Sequence, residues 1–148
     1  MLHAGSRDIG FAGADWVAEL DGDLVELVDT GLDPVSLVAA APTALLEDGA
    51  LPGRSLVVAS EYERLTTAWL GRRGVKARFV RSYGATEVFP PDDADVIVDN
   101  TATGATLRAH QLAIVAELMT SSTRLYASRS AWEDPRRREV AEGLALLI

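Results

Sequence analysis

The sequence predicts an α/β fold, on three observations. Short apolar runs of strand length, rich in valine, alternate along the chain with helically spaced apolar residues. From residue 54 to 112 the order is strand, helix, strand, turn, strand, helix, which implies a small, mostly parallel sheet with right-handed crossovers. Nearly half of the 148 residues are apolar and aromatics are few, the composition of an α/β protein rich in Val, Ala and Leu. That length fits one domain, or two small lobes sharing a split core.

Asp8 to Gly13 reads as a short strand entering a glycine turn, and Ala14 to Leu20 as a helix with Trp16, Val17 and Leu20 on one face. Leu24 to Val28 is a strand ended by Asp29-Thr30-Gly31, and Val35 to Ala41 is another that runs into Pro42. Residues 43–53, with Glu47-Asp48-Gly49 and Pro52-Gly53, form a polar connection and mark a lobe boundary. Arg54 to Ala59 is a buried strand. Ser60 is its following N-cap, and Glu61 to Arg72 a helix with Leu65, Ala68, Trp69 and Leu70 inward. Gly74 closes that helix beside Arg72-Arg73, cations suited to its C-terminal end. Lys76 to Val80 alternates as a strand does, residues 82–87 turn, and Pro90-Pro91 breaks the structure before the next strand. Beyond Leu112, Ala113 to Met119 and Arg124 to Ala127 read as two strands separated by the turn Thr120-Ser121-Ser122-Thr123. Asp134-Pro135 to Ile148 is an amphipathic helix with Val140, Leu144 and Leu147 on one face.

The stretch from Asp95 to Leu112 carries the chemistry. The run Val96-Ile97-Val98 is a buried strand that ends on a carboxylate, Asp99, before a loop of small and hydroxyl residues and a helix starting near Thr106. Free N–H groups at a helix start favour an anion. Thr101, Thr103 and Thr106 add hydroxyls, and Gly104 lets a backbone approach a ligand. Asp99 is placed to accept hydrogen bonds from sugar hydroxyls, so the parts suit a ribose 5-phosphate. The same run also reads as an ordinary capped strand-to-helix connection. It lacks the long glycine-rich loop and lysine of a nucleotide P-loop.

With no cysteine there is no disulfide framework, thiol nucleophile or cysteine-based metal site. A formal charge of −8 argues against a general nucleic-acid surface. No stretch has the length of a membrane span and the first residues lack the apolar segment of a signal peptide, so the cytoplasm is expected. His3 and His110 read as solvent-facing and make a poor metal site, and Asp92-Asp93 with Asp95 reads as a surface turn. Trp16, Trp69 and Trp132 read as packing residues. Arg136-Arg137-Arg138 reads as a solvated helix face or a contact for an acidic partner subunit.

Five ordered blocks resemble the ATP phosphoribosyltransferase family, whose members open histidine biosynthesis. Asp8 to Trp16 resembles "DIGITGKDW", Val25 to Leu32 "VELLDLGF", Ala59 to Thr66 "ATEYPNLT", Gly84 to Pro90 "GAVELAP", and Asp95 to Leu112 "DAIVDLVETGTTLRANGL". The resemblance implies a two-lobe fold of the periplasmic-binding-protein type (type II) with mixed sheets. Lobe I would hold residues 1–42 and 120–148, lobe II residues 54–112, with crossovers at 43–53 and 113–119. It further implies Mg²⁺ as cofactor, with no protein residue assigned as a metal ligand, and phosphoribosyl pyrophosphate and ATP as partners. The implied reaction transfers the phosphoribosyl group to N1 of ATP and releases pyrophosphate. The phosphoribosyl group would lie on Asp99, Thr101, Ala102, Thr103, Gly104, Ala105, Thr106 and Leu107. Asp15, Glu61, Tyr62 and Glu87 are further cleft candidates, and no catalytic residue is assigned.

The chain departs from the family in several places. The opening strand and basic glycine turn ("PKGRL") have no counterpart, so the first lobe is expected to be incomplete, lacking its opening strand and helix. Val35-Ser36-Leu37 stands where "CRL" is common, Ala14 where a lysine is common, and Ala102 where a glutamate is common. Each change removes a charge from the implied cleft. The alternative reading is therefore a catalytically impaired homologue acting as a ligand-binding or regulatory subunit. An exposed sheet edge would favour a homo-oligomer or a partner subunit.

Overall fold

The computed structural model describes residue 2 and residues 7–148, so His3 lies outside the described residues. The chain divides into two compact units, residues 1–34 with 121–148, and residues 35–120. The elements in order are β1 (Ile9–Gly13), α1 (Ala14–Leu20), β2 (Leu24–Pro42), β3 (Leu56–Ser60), α2 (Glu63–Arg73), β4 (Ala77–Arg81), β5 (Val96–Thr101), α3 (Ala105–Ala109), β6 (Leu112–Ser128), α4 (Arg129–Glu133) and α5 (Pro135–Ala145). The α/β class is as expected.

In the unit of residues 35–120 the strand order is β6-β2-β5-β3-β4. β3 runs parallel to both β4 and β5, with Val58 opposite Phe79 and Val96, while Ser36–Ala40 of β2 runs antiparallel to Ile97–Thr101 of β5. Both faces are buried. Leu37, Ala39, Val58, Val96 and Val98 meet Trp69 and Leu70 of α2 in one cluster, while Val38, Ala40 and Ile97 meet Leu107 and Leu112 in another. This is the period-2 alternation of a strand with apolar cover on each side. Asp95 is a tie rather than a surface turn: it pairs with Arg54 at 3.0 Å and accepts from the Val57 N–H at 2.8 Å.

Helix α2 starts two residues later than the sequence suggested. The Ser60 hydroxyl accepts from the Tyr62 N–H at 2.9 Å and donates to the Val98 carbonyl at 2.6 Å, so it fastens the strand ends instead of capping the helix. Thr66 is buried in place of Ala68, and among the described residues its hydroxyl has no hydrogen-bond partner. Gly74 closes α2 at φ +65°, as expected.

In the unit of residues 1–34 and 121–148, β1 pairs antiparallel with β6, Ile9 opposite Ala127 and Gly13 opposite Thr123. The two turns expected at 29–31 and 120–123 are absent, because β2 and β6 continue as single long strands. The polar residues that suggested turns partner one another. Ser122 donates to Asp29 at 2.6 Å, the Thr30 hydroxyl donates to the Thr123 carbonyl, and Ser121 donates to Asp15 at 2.9 Å. Arg124 adds an ion pair to Glu26 at 2.7 Å. The lobe boundaries differ accordingly: residues 35–42 and the expected crossovers 43–53 and 113–119 all belong to the unit of residues 35–120.

Two expected apolar faces point outward. On α1 the buried residues are Ala14, Asp15 and Glu19, while Leu20 is 64% exposed. On α5 only Ala141 is buried, Val140 is 63% exposed, and Leu144 and Leu147 are exposed too. Asp134 caps α5 by accepting from the N–H groups of Arg136 and Arg137, and Arg138 stacks over Trp132 at 4.1 Å. Of the arginine run, Arg137 pairs with Asp8 and Arg138 with Glu142.

The unpartnered Thr66 hydroxyl gives a direct test of the packing. Thr66→Val removes a buried polar group that has no bond to lose, and stability should rise by about 1 kcal/mol. Urea unfolding of the two proteins side by side checks this, and a fall in midpoint contradicts it.

Candidate functional site

The site grows from the end of β5, where burial stops. Val96, Ile97 and Val98 are fully enclosed, Asp99 is half-buried and Asn100 is exposed. The strand continues to Thr101 and stays paired to β2 throughout, Val38 opposite Asp99 and Ser36 opposite Thr101. The backbone that presents these side chains is therefore fixed on one edge by a ladder.

After Thr101 the chain makes a tight turn held by its own hydroxyls. The Gly104 N–H donates to the Thr101 hydroxyl at 2.8 Å, and the Ala105 N–H reaches the Thr103 hydroxyl at 3.3 Å. Gly104 has φ +78°, and a Cβ there would lie 2.8 Å from Nη1 of Arg108, which itself donates to the Thr103 carbonyl at 2.9 Å. The backbone angle favours glycine at 104, while the guanidinium end of Arg108 is free to swing aside. Among the described residues the N–H groups of Thr103 and Thr106 donate to no protein acceptor. Helix α3 is only five residues long, so the loop amides, more than a helix dipole, are the donors here.

Asp99, Thr101, Ala102, Thr103, Ala105, Thr106 and Leu107 line one cavity of about 420 Å³, with Gly104 in the turn between them. Of the further candidates, Glu87 lines it too, carried by the short helical turn Thr86–Val88. Glu61 does not line it, although its charge is felt by Asp99. Tyr62 is 0% exposed, with its hydroxyl accepting from Nδ2 of Asn100 at 2.8 Å. Asp15 belongs to the other unit, where it is buried and bonded to Ser121.

Two further lining residues are Asn100, which the sequence did not single out, and Val35, which opens the triplet standing where "CRL" is common. Asn100 carried a signal, a polar side chain following the strand-end carboxylate. Val35 is carried to the site by the β2–β5 pairing, and only the resemblance placed its triplet in the cleft.

Burial pushes the Asp99 carboxyl up to about 6; the Asn100 N–H at its Oδ1 opposes this, while Glu87 and Glu61 push the same way. Among the described residues the cavity lining carries two carboxylates and no cation. Among the described residues no cluster of three or more His, Cys, Asp or Glu could hold a metal. No helix is long and apolar enough to cross a membrane.

A sequence model of the family described as HisG, ATP phosphoribosyltransferase, matches residues 1–147. An ATP phosphoribosyltransferase of Chlorobium luteolum is 41% identical over 152 residues, covering 99% of this chain and 52% of that protein. The chain therefore spans about half the length of the curated relatives it matches. Among solved structures, the ATP phosphoribosyl transferase (HisG:HisZ) complex from Thermotoga maritima superposes with TM-score 0.87 at 25% identity, covering 99% of this chain and 71% of that one. A periplasmic binding protein from Brucella ovis superposes with TM-score 0.57 at 11% identity, covering 95% of this chain and 48% of that one. The fold is of the type II periplasmic-binding-protein kind.

The raised pKa of Asp99 has a sign that stability reads directly. The folded chain holds the Asp99 proton more tightly than the unfolded chain, so ionisation costs stability as pH rises from the usual carboxylate range through about 6. Asp99→Asn, which cannot ionise, should unfold at higher urea than the parent above pH 6, and the gap should close below pH about 4. A gap that does not change with pH contradicts this.

Proposed function

Because the chain belongs to the ATP phosphoribosyltransferase family, we propose that its cavity binds the phosphoribosyl group of phosphoribosyl pyrophosphate for transfer to N1 of ATP. The observation that carries this reading is the meeting, in one cavity, of a strand-end carboxylate and a loop with unused N–H donors. Asp99 accepts from ribose hydroxyls. The N–H groups of Thr103 and Thr106, with the Thr103 and Thr106 hydroxyls, take the 5-phosphate. Arg108, held on the Thr103 carbonyl, adds positive charge behind the loop.

In the reaction, N1 of ATP forms a bond to the anomeric carbon while the bond to pyrophosphate breaks. The sugar carbon becomes cation-like in the transition state, and the chain's part is to hold that sugar in register. The ionised Asp99 also offers negative charge beside the developing cation. Magnesium, when bound, neutralises charge on the leaving pyrophosphate. Two carboxylates lining one cavity, Asp99 and Glu87, fit an ion that keeps several waters and takes its other ligands from phosphates.

A second reading is favoured by one observation, the absence of a cation from the cavity lining. Pyrophosphate needs positive charge, so a chain with this lining alone would bind the sugar phosphate without turnover. It would then serve as a ligand-binding or regulatory subunit. The HisG:HisZ assembly of the Thermotoga maritima relative supports a partner subunit, and a homo-oligomer would serve the same end. As a biosynthetic enzyme or its subunit, the protein would work in the cytoplasm.

Calorimetric titration with phosphoribosyl pyrophosphate and Mg²⁺ separates these readings. The parent chain should bind, and Asp99→Ala should bind at least about tenfold more weakly, the scale of losing a hydrogen bond to a charged group. Pyrophosphate release on adding ATP supports the enzyme, and binding without release supports the subunit. No binding by the parent chain overturns both.

A further inference from the structure

Resting on the phosphoribosyl reading above, we propose that Asn100, oriented by the buried Tyr62, is a second sugar-hydroxyl acceptor beside Asp99. Tyr62 is held from two directions. Its ring is fully enclosed in the cluster with Leu37, Trp69 and Val98. Its N–H is bound by the Ser60 hydroxyl, which is itself tied to the Val98 carbonyl. The Tyr62 hydroxyl therefore has a fixed position at the end of β5, and Nδ2 of Asn100 donates to it at 2.8 Å.

That bond sets the plane of the Asn100 amide. With Nδ2 engaged, Oδ1 is the amide's remaining polar atom, and among the described residues no protein donor reaches it. Successive side chains leave a strand on opposite faces. Asp99 and Asn100 nevertheless line the same cavity, because β5 ends one residue later, at Thr101. The strand end thus offers an acceptor on each flank, a carboxylate and an amide carbonyl. A single carboxylate can hold one hydroxyl pair loosely. Two acceptors from opposite flanks select a vicinal diol and leave a polar group unpaired when either hydroxyl is missing.

The family motif quoted above has leucine where this chain has Asn100, so leucine is the informative replacement. A fixed tyrosine hydroxyl facing leucine would serve no such purpose, whereas facing Asn100 it makes Tyr62 a positioning residue.

The test titrates the parent chain, Asn100→Leu and Tyr62→Phe with three probes: ribose 5-phosphate and its 2-deoxy and 3-deoxy analogues. The parent should prefer ribose 5-phosphate over at least one analogue by about tenfold, the scale of one hydrogen bond lost. Asn100→Leu should lose most of that preference while still binding the phosphorylated sugars. Tyr62→Phe, which keeps the ring and deletes only the hydroxyl, should reduce the preference in the same direction. A merely structural role for Tyr62 would weaken all three probes equally. Full preference retained by Asn100→Leu overturns the proposal, and equal weakening by Tyr62→Phe overturns the positioning role. A parent chain that binds without preference overturns the proposal alone, and one that binds no probe overturns the phosphoribosyl reading with it.

Discussion

Where burial stops along β5 decides most of what the site can be. Val96, Ile97 and Val98 are enclosed on both faces because β2 and β3 flank the strand and apolar side chains cover each side. The next residue cannot be both buried and ionised at low cost, so Asp99 sits half in and half out with its proton held up to about 6. One residue further, Asn100 is in solvent but anchored to the core through Tyr62. The site is thus presented by a strand that is still hydrogen-bonded on its β2 side, and only the turn at 102–104 departs from regular structure. Rigid presentation of this kind limits the entropy lost when a ligand binds.

The other unit solves a different problem, that of keeping polar residues inside long strands. Asp29, Thr30, Ser121, Ser122 and Thr123 are residues that ordinarily end strands. Here they answer each other: Asp29 takes the Ser122 hydroxyl and the Gly31 N–H, which holds its carboxyl below the usual range. Asp15 sits so close behind Gly13 that a Cβ at 13 would lie 2.6 Å from its carboxylate. Glycine is therefore needed at 13 for space, although its backbone is ordinary extended chain.

These two units differ in how much a single sequence reveals. The β3–α2–β4–β5 order was legible because each element is local: an apolar run, a helix closed by Gly74, an Asp-led turn. The loop from Asp99 to Leu107 was legible for the same reason, since all of its cavity wall but Val35 and Glu87 is one contiguous stretch. The long β2 and β6 were not, because their polar residues find partners about ninety positions away, and local rules assign those residues to turns. Periodicity likewise put Val140 and Leu144 on one face of α5 but could not say which face the rest of the chain covers. Tyr62 shows the limit most sharply. Its place in a helix-opening block suggested ligand contact, and only the three-dimensional packing shows its ring buried and its hydroxyl bonded to Asn100.

The charge distribution in the cavity narrows the ligand further than shape does. Carboxylates stand at the strand end and in the turn at Glu87, while the donors gather in the loop after Thr101. A simple dianion would meet Asp99 and Glu87 unfavourably, and a simple polyol would leave the loop N–H groups without an acceptor. A molecule with hydroxyl donors at one end and an anion at the other satisfies both halves at once. The separation is built into chain order, since acceptors precede Thr101 and donors follow it, and Gly104 turns the second set toward the same space. A phosphorylated sugar has that polarity. Its pyrophosphate form adds charge at the leaving group, which no cation of the described residues lining this cavity meets. On the proposed reading, binding of the sugar end and activation of the leaving group are separable tasks, and residues 99–107 would supply the first.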